Sequence, residues 1–135
     1  MESDYVEETI QKSRSFLWIP LAFLIGRFVL LISLPLEGLK SYGDFWNFFH
    51  LARSGQPFRD IWVEFPPLFP FLSRGIYLLT GGSEHNYIYL AVILFSAIQA
   101  GSIYLFQQIG EVIWDKERAF KLTVLYGFIL LGLFY

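Results

Sequence analysis

The chain has 135 residues, 55% of them hydrophobic and 16% charged, with a mean hydropathy of +0.48. Its formal charge of −2, with 10 Lys and Arg scattered rather than gathered into a stripe, excludes the electrostatic footprint of a nucleic-acid-binding protein. Cysteine is absent, which excludes disulfide frameworks, thiolate zinc sites and cysteine nucleophiles.

The apolar residues fall in long blocks rather than short alternations, so lipid is the expected solvent and the expected fold is an all-α integral membrane protein. Aromatic side chains make up 20% of the chain, a composition suited to membrane-interface belts. Residues 1–15 carry Glu2, Asp4, Glu7, Glu8, Lys12 and Arg14 and read as a polar, cytoplasmic tail. The run 16–35 follows. At about 1.5 Å per residue it is long enough to cross a hydrocarbon core of roughly 30 Å, and it reads as the first transmembrane helix. It is too long for the apolar region of a signal peptide, and no small-x-small cleavage site follows it.

Residues 36–85 mix Gly, Pro, charges and aromatics, and an irregular segment of that kind does not cross lipid. They read as a non-cytoplasmic loop holding two interfacial helices. The first covers about 45–53, with Asp44 at its N-cap and Gly55-Gln56-Pro57 as its stop, and places Trp46, Phe49 and Arg53 on one face. The second covers about 67–79, opened by Pro66-Pro67 and closed by Thr80-Gly81-Gly82. Its length of roughly 20 Å is too short to span. Were it to cross, Lys116, Arg118 and Lys121 would face outward, against the positive-inside tendency.

A second span is expected at 86–109, with Gln99, Gly101 and Ser102 near its middle favouring close contact with a neighbouring helix. Residues 110–118 read as a short cytoplasmic turn and 119–135 as a third span, with Lys121 snorkelling to the headgroups. That last run stops in mid-pattern without a polar flank, the pattern expected of a fragment of a longer chain.

The residues with chemical potential concentrate in the loop. In order they are Gly43-Asp44-Phe45-Trp46, then Ala52-Arg53-Ser54-Gly55-Gln56-Pro57-Phe58-Arg59-Asp60, then Glu64-Phe65-Pro66-Pro67-Leu68-Phe69-Pro70. This succession resembles the first luminal loop of the GT-C glycosyltransferases, most closely the bacterial mannosyltransferase-like branches. An acid stands just past the first span, a short helix ends in Gly-x-Pro-aromatic, and an acid-aromatic-Pro-Pro-Leu segment opens an interfacial helix. The resemblance covers about residues 16–130 and draws its specificity from the order of the motifs, each of which is common alone.

It implies that residues 1–135 are the N-terminal membrane portion of a much larger enzyme in a bacterial plasma membrane, inactive in isolation. Such an enzyme transfers a sugar, with inversion, from a polyprenyl-phosphate donor to an acceptor (glycan, lipid or protein) at the outer face. The resemblance places the general base at Asp44. A carboxylate there suits the chemistry, since an acceptor hydroxyl must lose its proton as it attacks the anomeric carbon. Capping of the helix that starts at Phe45 is the competing role, and the two are compatible.

Glu64 matches the acid of the family's Glu-Tyr-Pro-Pro-Leu segment and is a candidate for orienting substrate, or a charge at a helix start favoured by the dipole. Phe65 replaces the commoner Tyr, so no hydroxyl is available there. Arg53, Arg59 and Arg74 are candidates for a carrier phosphate, which guanidinium binds in a bidentate fork; all three also read as ordinary interfacial cations. Arg27, near the middle of the first span, must face protein, water or an anion. It is a substrate-binding candidate or the partner of an acid outside this sequence. Asp60 reads as a turn residue.

His50 and His85 lack ligand spacing, and Asp44 with Glu64 makes a thin oxygen cage, so neither a metal nor another cofactor is expected. Trp46, Phe48, Phe49 and Phe58 suit either interface packing or a sugar platform. The alternative reading is a small non-catalytic membrane protein that assembles through its spans and uses the loop for docking. A transporter segment is weaker, since no paired broken helices are visible.

Overall fold

The computed structural model describes residues 17–35, 37–38 and 44–132. Among them the chain is all-helical, with five helices and no strand: α1 (Trp18–Ser33), α2 (Phe45–Ser54), α3 (Leu68–Leu79), α4 (Glu84–Ile113) and α5 (Lys116–Leu131). The polar tail expected at 1–15 lies outside the described residues.

Only α4, among the described residues, is long and apolar enough to cross a membrane. Its 30 residues rise about 45 Å, well beyond a hydrocarbon core of roughly 30 Å. The segments expected as the first and third spans, 16–35 and 119–135, appear as helices of 16 residues each. α1 ends at Ser33 because Pro35 disfavours helical geometry at Leu34. Residues 133–135 lie outside the described set.

The turn expected at 110–118 is much shorter than the sequence pattern implied. Helix α4 continues through Gly110 to Ile113, and α5 begins at Lys116 rather than 119. Gly110 is a point of close approach rather than a stop, since a Cβ there would sit 3.3 Å from the Cβ of Ala119. Asp115 then caps α5, its carboxylate accepting a hydrogen bond from the Arg118 amide at 2.9 Å.

The chain divides into two units, and α4 contributes to both. Among the described residues, one comprises 17–31 and 96–132. Its core is Phe23, Ala100 and Ile103, packed by Ile19, Tyr126, Leu130 and Leu131. Arg27, Gln107 and Thr123 are buried, whereas Phe28, Ile109, Val112 and Phe128 are exposed. Many large apolar side chains on the outside, with an arginine and a glutamine buried beside the apolar core, depart from the arrangement of a water-soluble bundle. Of the small and polar residues expected to mediate contact in α4, Gln99 and Ser102 reach neighbouring helices, and Gly101 is exposed with nothing close.

The other unit comprises, among the described residues, 32–35, 37–38 and 44–95. Here α2 packs on α3 through Phe45, Phe49, Ala52, Ser73 and Ile76, together with Tyr87 and Ile88 from the first turns of α4. The buried face of α2 is thus Phe45/Phe49/Ala52. It is offset by about one residue from the expected Trp46/Phe49/Arg53 stripe, leaving Trp46 and Arg53 exposed. The stop of α3 is a glycine cap. The Gly82 amide reaches the Tyr77 carbonyl and the Gly81 amide that of Leu78, with Gly81 at φ 61. Between the helices, Asp60 closes a turn by accepting from the Gln56 amide at 2.9 Å, as the sequence reading expected. Gly55 leaves room for it, because a Cβ at that position would lie 2.8 Å from the Asp60 Cβ.

A buried hydrogen-bond relay joins the three helical pieces of this unit. Ser73 Oγ donates to the Phe48 carbonyl at 3.2 Å, which uses its one proton, so the Tyr87 hydroxyl donates to Ser73. Ser73→Ala strands both groups and is expected to destabilise by about 1–3 kcal/mol. Adding Tyr87→Phe recovers part of that loss by removing the stranded donor. Thermal denaturation of the purified protein in detergent checks both.

Candidate active site

Asp44 stands directly before α2, and its backbone carbonyl accepts the first helical hydrogen bond, from Phe48, at 2.8 Å. Its side chain makes no capping bond to the helix amides. Instead the carboxylate accepts from Asn47 Nδ2 at 3.1 Å. The N-cap position expected from sequence is therefore occupied without the capping bond, and the exposed carboxylate keeps acceptor capacity for another group.

Beside Asp44 lies a cavity of about 260 Å³, walled by Phe45, Phe48, Phe65, Phe69 and Phe95 with Pro66. The walls are fixed by one another. Phe48 meets Phe69 and Phe65 edge to face at 4.4 and 5.4 Å between centroids, Phe69 lies 5.8 Å from Phe95, and Phe95 lies 6.1 Å from Phe45. The fold thus joins two of the sequence motifs, Asp44-Phe45 and Phe65-Pro66, in one concavity. A hydroxyl buried against such walls without a partner costs roughly 1–3 kcal/mol, and Asp44 is the one charged group among the described lining residues.

The other candidates are placed differently. Glu64 is exposed and does not line the cavity, although its neighbours Phe65 and Pro66 do. Arg53 is exposed in the last turn of α2, where a cation suits the helix dipole. Arg59 is exposed and lies 3.8 Å from Asp60. Arg74 donates to the Ala52 carbonyl near the end of α2 and lies over the Tyr77 ring, which commits it to structure.

Arg27 belongs to the other unit. Its guanidinium donates to Gln99 Oε1 at 2.7 Å and to the Leu130 carbonyl at 2.8 Å, and rests 5.3 Å from the Phe23 centroid. It thus meets an amide oxygen and the negative end of α5. Trp46 packs on His50 at 4.2 Å, and Phe58 packs on Trp62 and Phe71, so of the proposed aromatic platform only Phe48 reaches the cavity. His85 stacks on Tyr89. Among the described residues no group of three His, Asp or Glu comes together as a metal cage.

Sequence reasoning missed Asn47 and Phe95, and quoted Phe69 without giving it a role. Asn47 was visible as the third residue after Asp44, but no local signal marks Phe95, which arrives from a distant helix. No family model, curated protein or solved structure matches the chain. Among the described residues, fold and site together define an all-helical chain with one helix long and apolar enough to cross a membrane and Asp44 as the one acid lining a phenylalanine-walled cavity.

Proposed function

We propose that the protein is the N-terminal part of a GT-C-type membrane glycosyltransferase that moves a sugar from a polyprenyl-phosphate donor to an acceptor at the outer membrane face. Asp44 is its general base. The observation that carries this reading is the exposed Asp44 carboxylate, uncommitted to capping, beside the cavity that Phe65 and Pro66 help to wall. In the reaction, the acceptor oxygen forms a bond to the anomeric carbon, and the bond from that carbon to the carrier phosphate breaks with its electron pair going to the phosphate. The hydroxyl proton passes to Asp44. Glu64, Arg53 and Arg59 remain candidates for substrate contact, Arg53 and Arg59 being exposed cations of the loop among the described residues.

In this reading α1, α4 and α5 all span, residues 36–85 are non-cytoplasmic, and residues 110–118 face the cytoplasm. The large apolar side chains exposed on α1, α5 and the second half of α4, with Arg27 and Gln107 buried among them, support it. Single cysteines at Ser54→Cys and Lys116→Cys, probed in intact cells with an impermeant maleimide, are expected to label at position 54 only. Labelling of both from outside overturns the topology. The activity is tested by incubating membranes that carry the complete natural protein with polyprenyl-phosphate hexose labelled in the sugar. Passage of label to a glycan, lipid or protein fraction is the expected result, and retention of all label in the donor overturns the reading.

A further inference from the structure

The described walls of the cavity beside Asp44 are unsuited to a sugar ring. A hexose carries a hydroxyl on nearly every ring carbon, and each needs a hydrogen-bond partner when buried. Among the described residues the cavity offers five phenylalanines and a proline as walls, and Asp44 alone as a charged acceptor. None of these described aromatic walls carries a hydroxyl, since the position that resembles a tyrosine site is Phe65. At about 260 Å³ the cavity is also smaller than the roughly 300–1,000 Å³ of pockets that enclose a drug-sized molecule, so it holds a portion of a larger one. The portion matched to these walls is hydrocarbon, placed so that a single polar group next to it meets the carboxylate.

We infer that the acceptor is an amphiphilic alcohol whose hydrocarbon segment seats among Phe48, Phe65, Phe69 and Phe95, with its hydroxyl at Asp44. This rests on the transferase reading. The hydroxyl oxygen attacks the anomeric carbon of the donor, the carrier phosphate leaves with the bonding electrons, and Asp44 takes the proton. Asn47, donating to the same carboxylate, holds it in place while its remaining lone pairs face the alcohol. The acceptor class is thereby narrowed from glycan, lipid or protein to a lipid-like alcohol.

The test uses the natural protein in phosphatidylcholine nanodiscs and a long-chain primary alcohol, hexadecanol, carrying a photoreactive diazirine near its tail. The expected result is saturable labelling of the peptides bearing Phe48 and Phe69, displaced by unlabelled hexadecanol and untouched by glucose. Phe69→Trp, which fills the cavity, should weaken that labelling by about tenfold, the effect of losing room for one or two methylenes. Labelling of Leu105 and Ile109, exposed on α4, should stay unchanged and non-saturable.

Wall labelling that is non-saturable, or displaced by glucose, overturns the inference. Sugar transfer measured on the same preparations separates the two levels. If Asp44→Asn abolishes transfer while the wall shows no saturable labelling, the transferase stands and the lipid-like acceptor falls. If the wall labels saturably but Asp44→Asn transfers like wild type, the assignment of Asp44 falls, and the acceptor role with it.

Discussion

Replacing Asp44 by Asn is expected to lower sugar transfer by about 10²–10⁴-fold, the range that a positioned general base contributes. The substitution keeps size and shape, and the amide oxygen still accepts from Asn47 Nδ2, so the turn into α2 is preserved. Because the side chain makes no capping bond, folding stability should be unchanged. A capping role predicts the reverse pattern, a loss of roughly 0.5–2 kcal/mol on truncation to Ala with turnover per folded molecule intact. Measuring turnover and thermal stability on the same variants therefore separates the two roles. Donor affinity should be little altered, since the base contacts the acceptor.

The second large effect is expected at Arg27. A cation inside an apolar helix bundle needs acceptors, and here Gln99 Oε1 and the Leu130 carbonyl provide them. Gln99→Leu removes the side-chain acceptor and is expected to destabilise by about 1.5–3 kcal/mol, the range for hydrogen bonds to charged groups. Adding Arg27→Met should be milder than Gln99→Leu alone, because no charge is left with a missing acceptor. Thermal denaturation in detergent reads both. A double variant worse than the single would show that Arg27 contributes through contacts other than Gln99.

Much of the loop was legible in the sequence because its punctuation is chemical. Pro66-Pro67 opens α3 and Gly81 closes it in the left-handed conformation that a glycine adopts without strain, so 67–79 lies within one residue of Leu68–Leu79. Gly55 and Pro57 likewise mark the end of α2. Gly110 shows the limit of such reading. The same residue type that stops one helix permits close packing inside another, and only the presence of Ala119 tells which. The side-chain bonding of Asp44 was equally hidden, because a cap residue and an uncommitted acid have the same identity and position. The cavity walls were half legible. Phe45, Phe65 and Phe69 sit in the quoted motifs and Phe48 among the named aromatics, but Phe95 becomes their neighbour only through packing of α4.

The central claim is that the Asp44 carboxylate removes the acceptor proton. Chemical rescue tests it most directly: sugar transfer by the complete natural protein carrying Asp44→Ala, assayed with and without added formate, a small carboxylate able to stand where the side chain was. The account predicts turnover near background without formate and partial recovery as formate is raised. Wild-type turnover by Asp44→Ala without formate would contradict it.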